Sequence, residues 1–399
     1  MNRGSQNKVS AVLKRTMIAA VLSVAGLAHA APADVAAFDV RPGYKVGVAA
    51  QDFGQARFME FGDDGTLYVS QPQQGSVTAL KDKDGDGVYE TKAKFLSGFK
   101  DCHSMAFDGG WLYVTSAFDG SVKRAKSTKG DGVADVVETF LPPGSMPSGG
   151  GHPFIGIVFT KDALYLTSSD PQNMTEALPS DRKSIWRFDR DGQNKRQFIT
   201  GIRNTEKLRL RPGTEELWGV DHGTDNFGKT FGESRGKQPI TDMVPGEELN
   251  YFEEGNFYGH PFLSNNRIVR PEYAERKDIV DLAAKTTPPA WVFGAHWAGN
   301  GFTFLSQDKL TGHKGDMLVA FHGSWNSVQK VGYRVQQVLF DDVTGKPYGS
   351  LQLVSTLSKD GKVLARPVDC IEAADGSVLF SCDQTNAIYH LTRDAANAK

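Results

Sequence analysis

A repeat at a fixed offset of 45 residues constrains this chain more than any other feature. Tyr68-Val69-Ser70 recurs as Tyr113-Val114-Thr115, Gly75-Ser76-Val77 as Gly120-Ser121-Val122, and Gly85-Asp86-Gly87-Val88 as Gly130-Asp131-Gly132-Val133. Three separate matches at one offset mean that one small β unit is laid down repeatedly. Such units bury their apolar faces by packing on their neighbours.

Each unit reads as an apolar strand, a turn, an aromatic-rich strand, a loop and a third strand. The second strands are expected at Thr66–Ser70, Trp111–Thr115, Ala163–Thr167, Glu216–Val220, Asp316–Phe321 and Ser377–Ser381. Leu67 and Val69, like Leu112 and Val114, alternate as half-buried strands do. Asp64-Gly65, Asp108-Gly109 and Asp375-Gly376 supply tight turns before them. The spacings are 45, 52 and 53 residues, then about 100 and about 62. The long gap holds an insertion, Asn226 to Thr287, rich in Gly, Pro and charge. The one short helix expected runs from Glu275 to Lys285. Six such units predict an all-β chain, a six-bladed β-propeller of four-stranded antiparallel blades. The uneven spacing and the lack of a capping unit disfavour a linear solenoid. The loops that enter the second and fourth strands are expected at one mouth of the central channel.

The first 30 residues read as a secretory signal. Arg3, Lys8, Lys14 and Arg15 precede an apolar run from Met17 to Leu27, and Ala28-His29-Ala30 is a small-x-small cleavage site. The run is too short for a spanning helix, and no later stretch is long and apolar enough. No Cys follows it, so no lipid anchor is indicated. A periplasmic protein with one domain over residues 31–399 is expected. The formal net charge of −2 gives no reason to expect nucleic acid or an anionic membrane as partner. Of the three cysteines, Cys370 and Cys382 flank a turn and could pair across a hairpin, which export permits. Asp82-Lys83-Asp84-Gly85-Asp86-Gly87 begins like a calcium loop but has Ala93, not Glu, at its twelfth position. It reads as a blade hairpin or as a structural calcium site.

A basic or imidazole group opens every unit: Arg57, His103, His152 after Gly149-Gly150-Gly151, Arg203 with Asn204, His296, and Arg366. His322-Gly323-Ser324-Trp325-Asn326 follows the fifth unit's second strand. Each alone is an ordinary surface or structural residue. As a set aimed at one channel, three Arg and four His would make a pocket that attracts anions.

With Ala56-Arg57-Phe58-Met59, Ser148-Gly149-Gly150-Gly151-His152, Thr200-Gly201-Ile202-Arg203-Asn204, Gly246-Glu247-Glu248-Leu249-Asn250, Gly255-Asn256-Phe257-Tyr258-Gly259-His260-Pro261, His322 to Asn326 followed by Gly332-Tyr333-Arg334, and Ala365-Arg366-Pro367-Val368-Asp369, the chain resembles the soluble pyrroloquinoline-quinone (PQQ) sugar dehydrogenases. The sorbosone dehydrogenase-like branch is the nearest in pattern. The resemblance implies PQQ across the channel mouth and a calcium ion bridging protein and quinone. Three Arg independently suit a ligand with three carboxylates. By position His152 matches the general base, Asp170 the carboxylate that orients it, and Arg203 and Asn204 the contacts to the quinone oxygens. The carbonyls of Gly223 and Thr224 match the calcium pair, and Arg366 a partner of a cofactor carboxylate. Arg57, His103, His322, Trp325 and Asn326 fall at the expected cofactor pocket. The chain departs from the branch at Pro153-Phe154-Ile155-Gly156, at Glu206, whose negative charge opposes an anionic cofactor, and at His222.

The implied function is oxidation of a sugar, or of a sugar-derived aldehyde or hemiacetal. Electrons would leave to a soluble cytochrome or a quinone, since no haem-attachment motif is present. Two other readings fit a six-bladed propeller: a metal-dependent lactonase, which the basic channel positions disfavour, and a non-catalytic propeller that binds a glycan or a protein.

Overall fold

The computed structural model describes residues 34–52, 54–177, 180–227, 239–394 and 396. The expected signal segment, residues 1–30, and residues 228–238 of the insertion lie outside the described residues. Six antiparallel sheets form the six blades of a propeller. Their innermost strands are Met59–Phe61, Cys102–Asp108, Ile157–Phe159, Leu208–Leu210, Gly299–Phe304 and Pro367–Glu372. Each packs beside the next, and the sixth returns to the first, which closes the ring. The expected second strands are found within a residue at each end; Leu67–Gln71 and Trp111–Ser116 are examples.

Closure uses both ends of the described chain. Tyr44–Ala50 pairs with Ala387–Arg393 and so completes blade 6, whose other strands come from the C-terminal part. A two-residue strand, Asp39–Val40, adds a fifth strand to blade 5.

The second strands are buried on both faces rather than one. A middle strand is sandwiched between two neighbouring blades, so both of its faces meet apolar side chains. The alternation of half-buried strands belongs instead to outer strands such as Thr91–Leu96. Each apolar cluster is shared by adjacent blades: Tyr68 and Phe95 of blade 1 pack with Met105 and Leu112 of blade 2. Register shifts in the innermost strands at Cys102/Met105, Gly299/Gly301 and Pro367/Cys370 lie at one end of the ring. Such bulges re-aim side chains where a ladder ends.

The described part of the insertion holds two short helices where one was expected: Pro239–Met243, which the pattern did not indicate, and Ile279–Lys285, shorter than expected. The Arg276 guanidinium grips Asp278, and a separate turn at Pro271–Tyr273 precedes it. Phe262, Leu263 and Ile279 give the insertion a small core of its own. Cys370 lies opposite Phe380 and Cys382 opposite Pro367, so the two thiols are out of register; all three cysteines are buried and free.

Candidate active site

A cavity of about 490 Å³ opens at one mouth of the channel. Among its lining residues, Arg57, His152, Arg203 and Arg366 come from segments that lead into first strands. Asn173, Gly223 and His322 come from segments that leave second strands. The mouth is therefore built by loops entering the first and third strands, not the second and fourth. In an antiparallel blade the first strand begins and the second strand ends at the same edge.

His152 and Asp170 meet through the main chain. Nδ1 of His152 lies 2.8 Å from the Asp170 carbonyl. A carbonyl only accepts, so Nδ1 carries the proton and Nε2 keeps a free lone pair. Burial, followed by the nearby Arg203 charge, pulls the pKa of His152 down to about 4, so the imidazole is neutral at ordinary pH. The Asp170 carboxylate does not face His152, as the sequence led one to expect. It accepts from His260 Nε2 at 2.8 Å and from Thr175 Oγ1 at 2.6 Å. The three glycines before His152 have a steric reason at Gly150. Its φ is +85°, and a Cβ there would stand 2.7 Å from the Pro171 carbonyl oxygen.

The three guanidiniums are not equivalent. Arg57 pairs with Glu206 at 3.0 Å and with Asp383 at 2.7 Å. Arg203 pairs with Asp225 at 3.2 Å. Arg366 donates to the main-chain carbonyls of His322 and Gly323, and among the described residues it has no carboxylate ion pair. Burial lowers the pKa of His222 to about 3 and lowers that of His322 as well, which disfavours their charged forms. The expected surplus of positive charge is thus largely neutralised from within, because buried guanidiniums left unpaired are costly.

Charged side chains cross the channel beneath the cavity. Glu206, Lys207 and Arg209 of blade 4 reach across the axis. Glu206 meets Arg57, Lys207 meets Asp369 and the Met59 carbonyl, and Arg209 meets Glu60 at 2.8 Å. These cross-channel pairs escaped the sequence reading. The signal was the period-2 pattern Lys207-Leu208-Arg209-Leu210, in which the charged face alternates with the apolar one.

One side of the cavity suits a hard cation. Gly223 lines it, and Thr224 lies behind, its hydroxyl accepting from Arg270. Beside Gly223 stands Glu247, which sequence reasoning did not single out. Its carboxyl is 2 % exposed, lines the cavity and accepts from Gly223 N at 3.3 Å. No ion pair holds it among the described residues. Burial pushes its pKa up to about 8, against the pull of the Ala298 and Gly223 amides. A buried acid at a cavity wall, with the Arg203 charge nearby but no ion pair of its own among the described residues, is what a divalent cation would satisfy.

Three of the residues expected to bind the cofactor do not line the cavity. His103 is buried under Phe154, stacked at 3.8 Å between ring centroids, with Glu206 Oε2 3.6 Å from its Nε2. Asn204 lies below the cavity, its amide nitrogen near Glu206 and His222 and its Oδ1 without a partner among the described residues. Asn326 holds Asn226, which does line the cavity, through two hydrogen bonds. Trp325 stands at the rim, 58 % exposed, and His322 gives Asp383 a 2.9 Å contact. At the far end of the propeller, Asp82 caps its own turn through Gly85 N and Gly87 N. Its carboxylate converges there with those of Asp84, Asp86 and Glu90.

A family model described as a domain of unknown function, DUF7133, matches residues 32–282. Another, described as TrAA12-like, matches residues 265–394. Among solved structures, an iodide structure of the Trichoderma reesei carbohydrate-active enzymes family AA12 superposes with a TM-score of 0.76 at 18% identity. It covers 91% of this chain and 99% of that one. The holo form of the pyranose dehydrogenase PQQ domain from Coprinopsis cinerea gives 0.75 at 18% identity, covering 89% and 97%. The PQQ-bound aldose sugar dehydrogenase from Streptomyces coelicolor gives 0.59 at 17% identity, covering 89% and 100%. At these identities the likeness is one of fold. An uncharacterized protein of Borreliella burgdorferi is 28% identical over 203 residues, 48% of this chain and 47% of that protein, so the match spans about half of its length.

Proposed function

We propose that this chain, which belongs to the DUF7133 family, is an exported, periplasmic PQQ- and calcium-dependent oxidoreductase. Its substrate is a sugar or a sugar-derived aldehyde in hemiacetal form, as in the sorbosone dehydrogenase-like branch. The observation that carries the reading is His152: a neutral imidazole with a fixed tautomer, facing a cavity ringed by Arg57, Arg203 and Arg366. Solved propellers of the same fold hold PQQ by name.

The residues fit the two groups. Among the described residues Arg366 has no carboxylate ion pair, and Arg57 Nε and Asn204 Oδ1 are buried polar atoms without a hydrogen bond. Trp325 offers a flat face at the rim. Glu247 and the Gly223 carbonyl would hold calcium, with Thr224 next to them. When bound, PQQ supplies a hydride acceptor and calcium a Lewis acid.

The chain's own part is proton handling and placement. His152 Nε2 takes the proton of the substrate hydroxyl as the adjacent carbon gives up its hydride. The Asp170 carbonyl holds that ring, and Arg203, steadied by Asn173 and Asp225, directs positive charge at oxygen. Pairs of Glu206, Lys207 and Arg209 cross the axis beneath the cavity, so the electron acceptor, a soluble cytochrome or a quinone, would use the same mouth as the sugar. Reconstitution with PQQ and calcium, followed by an aldose panel with an artificial electron acceptor, tests the reading. Acceptor reduction that requires both additions supports it, and none on any sugar overturns it.

A further inference from the structure

Beneath His152 lies a buried hub that the chemistry above does not name. The Asp170 carboxylate is wholly buried and has no guanidinium or ammonium ion pair among the described residues. It accepts from Gln172 N at 2.9 Å, Thr175 N at 2.8 Å, Thr175 Oγ1 at 2.6 Å and His260 Nε2 at 2.8 Å. Three of these donors belong to its own loop. His260 alone reaches in from blade 4, from the segment between its third and fourth strands, and it is 6 % exposed.

The main chain of the same residue serves both reactive groups. The Asp170 carbonyl fixes His152 Nδ1, and Asp170 N donates to the Arg203 carbonyl at 2.8 Å. Three residues on, Asn173 accepts from Arg203 Nε through its carbonyl at 3.1 Å and from Nη2 through Oδ1 at 3.0 Å. One loop therefore sets the ring of His152 and the plane of the Arg203 guanidinium. The single side-chain bond that ties its carboxylate to the neighbouring blade is the one from His260. Removing a donor from a buried carboxylate costs more than an ordinary hydrogen bond, and the loop relaxes to recover solvation.

We propose that His260 is a positioning residue that acts through Asp170 to hold His152 and Arg203 in register. The inference rests on His152 being the base, yet part of its test needs neither cofactor nor substrate. In His260→Gln the amide nitrogen replaces Nε2 as donor; in His260→Leu the shape is kept and the donor is lost. Nitrogen NMR of 15N-histidine protein reads the tautomer of His152 directly. We expect the Nδ1–H form in the native protein and in His260→Gln, and a mixture of tautomers in His260→Leu. In the reconstituted enzyme, His260→Leu lowers kcat by roughly 10–100-fold with KM within about threefold, as small misplacements of reacting groups do, and His260→Gln restores most of it. If His260→Leu does not fold, His260→Asn, whose amide is too short to reach Oδ2, takes its place with the same expectation. A donor-less variant that keeps the native tautomer and kcat overturns the proposal, as does a His260→Gln variant as impaired as His260→Leu. Native protein with the fixed tautomer but no turnover on any sugar overturns the dehydrogenase reading alone.

Discussion

Arg57 and Glu206 stand on opposite blades and meet across the propeller axis at 3.0 Å, both nearly excluded from solvent. This contact removes one positive charge from the mouth that the sequence pattern had suggested was free. Glu206→Gln keeps a hydrogen-bond acceptor for Arg57, which also retains Asp383 at 2.7 Å. The variant should fold and bind PQQ about tenfold more tightly at fixed calcium, because a like charge is removed from the wall facing an anionic ligand. Unchanged or weaker binding in a PQQ titration would show that the Glu206 charge is not felt by the cofactor.

The pH dependence should mark out His152. The proposed base is the neutral imidazole, present above its pKa and lost as pH falls through it. Burial and Arg203 set that pKa at about 4. The acid limb of kcat/KM should therefore lie well below that of an ordinary histidine near 6.5, leaving activity flat from about pH 5 to 7. His152→Ala should reduce kcat by roughly 10²–10⁴-fold and abolish the limb. A limb centred near pH 6.5 would assign the base elsewhere.

Calcium should depend on Glu247. Glu247→Gln preserves the contact with Gly223 N but removes the anionic oxygen, and calcium affinity follows the charge of the ligand set. Calorimetry on the cofactor-free protein should show a loss of at least about tenfold. The control is Glu248→Gln, whose acceptor role toward Asn265 lies outside the cavity lining. Equal calcium affinity in native protein and Glu247→Gln would remove Glu247 from the ligand set.

The cross-channel pairs should act on stability rather than on turnover. Lys207 and Asp369 are both almost completely buried. Lys207→Met leaves the Asp369 carboxylate without its cation, a loss of about 3–5 kcal/mol. Urea unfolding should report it, and Lys207→Met with Asp369→Asn should cost less than the sum of the single changes. A shift below about 1 kcal/mol would mean that the pair does not support the ring.

The blades were legible because their turns and strands are local. Asp64-Gly65 and the alternating apolar residues after it specify a hairpin wherever they occur, and the repeat supplied the count. The residues that open each blade were legible as a set, and the propeller brings Arg57, His152, Arg203 and Arg366 to one cavity. What lay hidden depends on closure. His103 and Phe154 stack only because blades 2 and 3 are adjacent, and Glu206 finds Arg57 only because blade 4 faces blade 1. The carboxylate of Asp170 was assigned to His152 from position alone. Its true partner, His260, is ninety residues away and comes from the insertion, which carries no repeat signal.

The most direct measurement is a titration of PQQ into the EDTA-stripped mature protein, with and without calcium, followed through the quinone absorbance. With two of three guanidiniums already neutralised, cofactor binding must lean on the cation. The expected result is saturable one-to-one binding in calcium and binding weaker by at least about tenfold without it. No binding in either condition would contradict the assignment of this cavity to PQQ.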